Sequence, residues 1–305
     1  VPSDAEARAA EGEFPTWSQL RDGVAERCGT RADGRALLGY LDPRQRRLQR
    51  SVPAALRALA RALPGSGDLR RMANASDADL SAFVVDQICR NGDPCGEDER
   101  SAGLLFKRHN QLPCTAATLE RRVAQVRRHV GLSAPILIVG DDDLQSVALA
   151  REGAADLTVV EIDEAVAREI ATAAPAERVI ILRQDIAQIG PLGREFAAIL
   201  MDPPVNIDGA RAFIDGAVRA AGGGATTLFL NTHLLSYGEA GYRDLLALLD
   251  GHGFKPLELR LAFSRYAIPR LPRTAINALL RLVEPSVATR VRTFVSDLLV
   301  LRRAA

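Results

Sequence analysis

The chain is expected to fold as a doubly wound α/β structure, a mostly parallel, Rossmann-like sheet with helices on both faces, preceded by a smaller helical unit. Three observations lead there. Short apolar runs alternate with segments of helical period throughout the second half. Those runs are apolar at successive positions, as in strands buried on both faces. Several end in acidic residues, at the strand ends where ligands bind in such a sheet.

Residues 1–107 read as a helical, winged-helix-like N-terminal domain, and residues 108–305 as the ligand-binding domain. Trp17, Leu20 and Val24, then Leu48, Val52, Leu56, Leu59 and Leu63, keep helical spacing until Pro64-Gly65-Ser66-Gly67 stops it. Ser76-Asp77-Ala78-Asp79 precedes a further helix as an N-cap cluster. Thr115 and Thr118 offer N-cap chemistry to a helix reaching about Val130, with Leu119, Val123 and Val126 as its apolar face. Strands are then expected at 135–140, 157–163, 178–182, 196–201 and 226–231, with helices at 144–152, 164–174, 210–221 and 242–249 between them. Two further strands, 255–268 and 293–302, are expected as antiparallel additions.

Composition excludes more than it identifies. The 39 basic and 38 acidic residues leave a net charge of +1, so no global field recruits nucleic acid or an anionic membrane. Lys107 and Lys255 are the only lysines, an arginine bias that codon usage explains before phosphate recognition does. Cys28, Cys89, Cys95 and Cys114 form no Cys-x-x-Cys pair, so neither a disulfide framework nor a metal site is expected. No apolar stretch is long enough to span a bilayer, and Val1-Pro2-Ser3-Asp4 starts no secretory signal, so a cytoplasmic location is expected. No nucleophile elbow, zinc-protease motif or phosphate loop occurs.

The strand-end acids are Asp141-Asp142-Asp143, Glu161 with Asp163, Asp185, and Asp202. One Asp after a strand is a common helix cap. Acids at four strand ends in register exceed what capping requires. Glu161 lies 21 residues beyond Gly140, the distance at which an acid binds ribose hydroxyls. The first turn, Gly140-Asp141-Asp142-Asp143, has one glycine and three acids where a dinucleotide fold has G-x-G-x-x-G. A pyrophosphate would meet three negative charges there, which disfavours NAD, FAD and ATP. A sulfonium ligand without phosphate, S-adenosylmethionine or its decarboxylated form, suits it instead.

These residues carry a resemblance. Ile138-Val139-Gly140-Asp141-Asp142-Asp143-Leu144, Glu161-Ile162-Asp163-Glu164 and Asp202-Pro203-Pro204 resemble the branched-chain polyamine synthases, the N4-bis(aminopropyl)spermidine synthases. Asn110-Gln111-Leu112-Pro113-Cys114-Thr115 and the closing Ser296-Asp297-Leu298-Leu299-Val300-Leu301-Arg302 are similar to that family too, so the likeness covers about residues 108–302. It implies a class I methyltransferase-like fold. It also implies aminopropyl transfer from decarboxylated S-adenosylmethionine to an amine, with release of methylthioadenosine. By position, the resemblance implies that Gly140, Asp141, Glu161, Asp163, Asp185 and Asp202 hold the donor. Asp141 would face its amine, Glu161 its ribose and Asp185 its adenine. Asp142, Asp143 and Asp202 would serve catalysis: Asp142 or Asp143 would take a proton from the attacking nucleophile or hold the acceptor, and Asp202 would line the acceptor side. Pro203, Pro204, His233, Tyr266 and His109 are the candidate acceptor contacts.

Two departures keep sibling reactions open. Val205-Asn206 stands where the family tends to have an acid, and residues 259–292 hold seven arginines against the single acid Glu284. An arginine can hold a carboxylate by a bidentate pair. Intact S-adenosylmethionine could then donate its 3-amino-3-carboxypropyl arm to a natural product such as a nocardicin-type phenol. Small-molecule methylation and a non-catalytic adenosyl-ligand-binding module also stay open. A base-stacking aromatic is missing at Val205, which disfavours methylation of nucleic acid. The expected partner is therefore a small amine or phenol, and a two-fold dimer is the default assembly.

Overall fold

The computed structural model describes residues 12–13, 113–204, 207–232, 238–267 and 293–305. The expected N-terminal helices lie outside these residues, as do His109, Val205-Asn206, His233 and most of the arginine-rich stretch.

The elements in chain order are β1 (Gly12–Glu13), α1 (Ala116–His129), β2 (Ile136–Val139), α2 (Gln145–Arg151), β3 (Leu157–Val160), α3 (Glu164–Ala173), β4 (Val179–Leu182) and a 3₁₀ turn (Ile186–Gln188). There follow β5 (Ala198–Met201), α4 (Ile207–Ala221), β6 (Thr226–Thr232), α5 (Gly238–Gly251), β7 (Lys255–Ala267) and β8 (Thr293–Arg303). They form one eight-stranded sheet in the order β1-β7-β8-β6-β5-β2-β3-β4. β4, β3, β2, β5 and β6 are parallel, while β8 runs antiparallel between β6 and β7. This is the doubly wound, methyltransferase-like arrangement. The order reverses between β2 and β5, so the crevice beyond their carboxyl ends is the switch point.

The burial follows the strand period. Leu137 and Val139 of β2 face a core shared with α4 and α5, including Ile214, Leu245 and Leu249. Ile136 and Ile138 face the opposite core with Val123, Val126, Val147 and Ile170 from α1, α2 and α3. Every residue of β2, β3 and β5 is buried, which is why those strands read as unbroken apolar runs. The edge strand β4 is only partly buried, and its Ile180 is 52% exposed.

The N-cap expected for α1 is present, with Thr115 Oγ accepting from the Thr118 N–H at 3.3 Å. The face of α1 that turns inward is broader than the apolar spacing implies. Thr118, Arg122 and Gln125 are buried beside Val123 and Val126, while Leu119 is only partly buried. One short element has no apolar signature of its own, the 3₁₀ turn after β4. α4 packs against it so closely that a Cβ on Gly216 would stand 2.3 Å from the Ile186 carbonyl oxygen.

Candidate active site

The turn after β2 assigns its three consecutive acids to different tasks. Gly140 leaves the strand at φ +68°, a conformation that favours glycine, and its N–H donates to Val160 O at 2.9 Å. Leu144 closes the turn at φ 56°, a left-handed position that costs a non-glycine residue about 1–2 kcal/mol. Leu144 occupies the N-cap of α2 but offers no side-chain acceptor. Asp141 supplies it instead. Its carboxylate accepts from the Gln145 N–H at 2.6 Å, the Ser146 N–H at 3.2 Å and the Ser146 hydroxyl. Burial pushes the Asp141 pKa up to about 7, against the pull of those hydrogen bonds.

Asp143 turns the other way. One oxygen takes the Cys114 N–H and the other is ion-paired with Arg122. Burial raises its pKa, Arg122 opposes the rise and Asp202 adds to it. Asp142, between them, is partly buried and makes no hydrogen bond or ion pair among the described residues. Desolvation, then the negative charges of Asp143 and Asp202, push its pKa well above the usual carboxylate range.

Across the switch point, Asp202 follows β5 and is held from behind. Its Oδ2 accepts from Arg122 Nη2 at 2.8 Å and from the Tyr266 hydroxyl at 2.5 Å. Pro203 behind it is buried and Pro204 is exposed. Tyr266, expected as a wall of the acceptor pocket, is 7% exposed, and its hydroxyl also meets Ser296 Oγ at 2.9 Å. Its hydroxyl therefore supports Asp202, and its ring is buried. Burial, then the charge of Asp202, push its pKa well up.

Beyond β3, Glu161 is buried, and its two oxygens accept from the Asp141 N–H at 2.9 Å and the Asp163 N–H at 2.7 Å. Each oxygen keeps a lone pair for a further donor. Asp163 caps α3 through the Ala165 N–H at 2.7 Å, and Asp185 caps the 3₁₀ turn through the Ala187 N–H at 2.9 Å. Of the strand-end acids, Asp141, Asp163 and Asp185 thus accept helix-end N–H groups, which accounts for their place after strands. Asp142 and Asp202, after the two switch-point strands β2 and β5, have no such duty among the described residues. Ile162, between buried Glu161 and Asp163, is 51% exposed and offers an apolar face there.

Two participants are absent from the expected set. Ile162 belongs to the Glu-Ile-Asp-Glu motif, and only its exposure distinguishes it from a strand residue. Arg122 is 3% exposed on α1 and donates to Asp143, Asp202, Tyr266 and Ser264. Burial opposes its charge, but Tyr266, Asp143 and Asp202 outweigh that and raise its pKa further. Its only sequence signal is position, four residues after Thr118 and three before Gln125 on the inward face. Beside it lies a small cavity lined by Gln125, Gln145, Leu200, Phe229, Asn231 and Leu298, with room for about one water.

Of the arginine-rich stretch, Arg260 is described and pairs with Glu258 of the same strand at 2.6 Å. Among the described residues, no group of three or more His, Cys, Asp or Glu is arranged for a metal, and no helix is long and apolar enough to cross a membrane.

Residues 105–278 match the family model of the branched-chain polyamine synthase A C-terminal domain. A curated relative, an uncharacterized protein of Methanocaldococcus jannaschii, is 36% identical over 92 residues, a match that spans 24% of that relative. The branched-chain polyamine synthase of Thermus thermophilus, solved with N4-aminopropylspermidine and 5′-methylthioadenosine, superposes with a TM-score of 0.54 at 24% identity, covering 66% of this chain and 60% of that one. Its C9 mutein, with the same ligands, gives a TM-score of 0.51 at 20% identity, covering 94% of this chain and 79% of that one. At these identities the superpositions bear on the fold.

Proposed function

The chain belongs to the family of the branched-chain polyamine synthase A C-terminal domain, and from that premise we propose that it transfers an aminopropyl group from decarboxylated S-adenosylmethionine to an amine of a polyamine, releasing methylthioadenosine. The observation that carries the reading is Asp142. It is a carboxylate in the turn after the switch-point strand β2, without a partner among the described residues, raised in pKa and set beside two anchored carboxylates. Such a site suits a cationic donor and lacks the glycine-rich turn a pyrophosphate needs.

The residues fit an adenosyl ligand. Glu161 receives the ribose hydroxyls on its remaining lone pairs, and exposed Ile162 covers an adenine face. The positive-φ turn at Gly140 lets the backbone approach closely. Asp202 orients the acceptor amine through its crevice side, while Asp142 takes the proton. In the step, the neutral amine nitrogen attacks the aminopropyl carbon bonded to sulfur. The C–N bond forms, the C–S bond breaks and its electron pair returns to sulfur as a thioether. The new ammonium then loses its proton to Asp142. A base with a raised pKa is well matched to that work, and in-line placement supplies much of the remaining rate.

The donor assignment also draws on Arg122. Its guanidinium is engaged by Asp143 and Asp202, which leaves it unsuited to receive a donor carboxylate. Incubation with each donor and spermidine, followed by mass analysis, tests the reading. Decarboxylated S-adenosylmethionine should give methylthioadenosine and a product heavier by one aminopropyl unit. A carboxypropyl-sized increment from intact S-adenosylmethionine would replace the donor, and S-adenosylhomocysteine would overturn alkyl transfer of either kind.

A further inference from the structure

Arg122 is too deeply buried to meet a substrate, yet it ties together both sides of the crevice. Its Nε donates to Ser264 Oγ on β7 at 3.1 Å, and its Nη1 pairs with Asp143 after β2. Its Nη2 donates to Asp202 Oδ2 after β5 and to the Tyr266 hydroxyl on β7, both at 2.8 Å. Asp143 and Asp202 stand on the two strands between which the order reverses. One rigid, planar fork therefore spans the switch point. Tyr266 repeats the hold, because its hydroxyl donates to the same Oδ2 of Asp202. Both anchors take this inner oxygen and neither takes Oδ1, while the Asp202 side chain stays 17% exposed.

We propose that Arg122 and Tyr266 are positioning residues for the transfer: they clamp Asp143 and Asp202 from behind, so that Asp142 and the outer oxygen of Asp202 meet the reacting amine at a set separation. The identity of that amine rests on the function proposed above.

The clamp has a charge consequence. Among the described residues, the charged groups that face Asp142 are Asp141 and Asp143 of its own turn, Asp202 of the β5 end and Arg122 of α1. Arg122 is the cation among those described. Without it, the carboxylates face one another, Asp142 holds its proton to higher pH and the base is ionised over a narrower range.

Three variants separate geometry from charge. Arg122→Lys keeps the charge without the fork, Arg122→Gln loses both, and Tyr266→Phe removes one O–H from a fold that thermal melting should find intact. With decarboxylated S-adenosylmethionine and spermidine, kcat should fall about 10-fold in Tyr266→Phe and about 100-fold in Arg122→Lys. Arg122→Gln should lose more. Donor KM and methylthioadenosine affinity, read by calorimetry, should stay within about 3-fold, since neither residue binds the donor. The acidic limb of the kcat profile should move to higher pH in Arg122→Gln and stay in place in Arg122→Lys. Full turnover in Arg122→Lys, an unmoved acidic limb in Arg122→Gln, or parallel loss of kcat and methylthioadenosine binding would each overturn the clamp. If the wild type makes product from neither donor, the proposed function fails on its own. Calorimetric binding of spermidine then reads the clamp. Its pH dependence should shift in Arg122→Gln alone, and an unshifted profile overturns it.

Discussion

α1 and β7 lie side by side and carry a charged cluster at each end, with opposite balance. At the crevice end, one arginine, Arg122, is surrounded by Asp143 and Asp202, with Asp142 beside them and unpaired among the described residues. At the far end, one buried acid, Glu258, is surrounded by Arg260 at 2.6 Å, His129 at 2.9 Å and Arg128 at 3.4 Å. The far cluster leaves its carboxylate fully engaged. The crevice cluster has more carboxylates than the cation described there can satisfy, and the surplus is held at the switch point, where the proposed function places a cationic donor. The same two elements thus build a structural knot and a candidate site. The difference lies in which sign is in excess.

The largest test of that contrast is Asp142→Asn, which removes the surplus carboxylate. Product formation should fall by about 10²–10⁴-fold, the range for loss of a general base, with methylthioadenosine binding retained. Substantial residual turnover would move the base elsewhere. Glu161→Gln should weaken methylthioadenosine binding by about 10–100-fold, the effect of losing a hydrogen bond to a charged group, as calorimetry would report. Glu258→Gln, at the far end, should cost about 2 kcal/mol in denaturant unfolding, because it leaves cations around a neutral group. It should leave kcat unchanged, and a loss of turnover there would dissolve the distinction between the two ends.

Asp141 gives the smallest and most specific effect. Its folded pKa, about 7, lies above its ordinary value of 3.8. Between these values the folded state keeps a proton that the unfolded state has lost. This group's contribution is therefore fully present below the ordinary value and declines as pH rises towards 7, by at most about 1.4 kcal/mol per pH unit. Asp141→Asn should flatten the melting temperature across that window. An unchanged slope would show that Asp141 is ionised throughout.

Much of the fold is legible in the residues. The strands at 135–140, 157–163, 178–182, 196–201 and 226–231 appear within a few residues of their expected limits, most plainly β2 and β5, because a strand buried on both faces is written as an unbroken apolar run. The two closing strands and their antiparallel sense also appear. Helix starts are less legible. α4 begins at Ile207 and α5 at Gly238, each ahead of the expected position, since their first residues, Ile207-Asp208-Gly209 and Gly238-Glu239-Ala240, carry no apolar period. The strand-end acids are visible as a set, but their separate tasks are not. An Asp that caps a helix and an Asp that does not have the same neighbours in sequence. Only the N–H groups that Asp141 accepts tell it from Asp142.

Local order therefore established the alternation of strand and helix, the acid-rich turn after β2 and the exclusion of a phosphate-binding loop. Those properties depend on neighbours a few residues apart, and period, caps and turn chemistry record them. The tertiary structure decided which carboxylates are neutralised. Arg122 meets Asp143 across 21 positions, Asp202 across 80 and Tyr266 across 144. No periodicity encodes such distances, because the strand order, and not the chain, brings those side chains together.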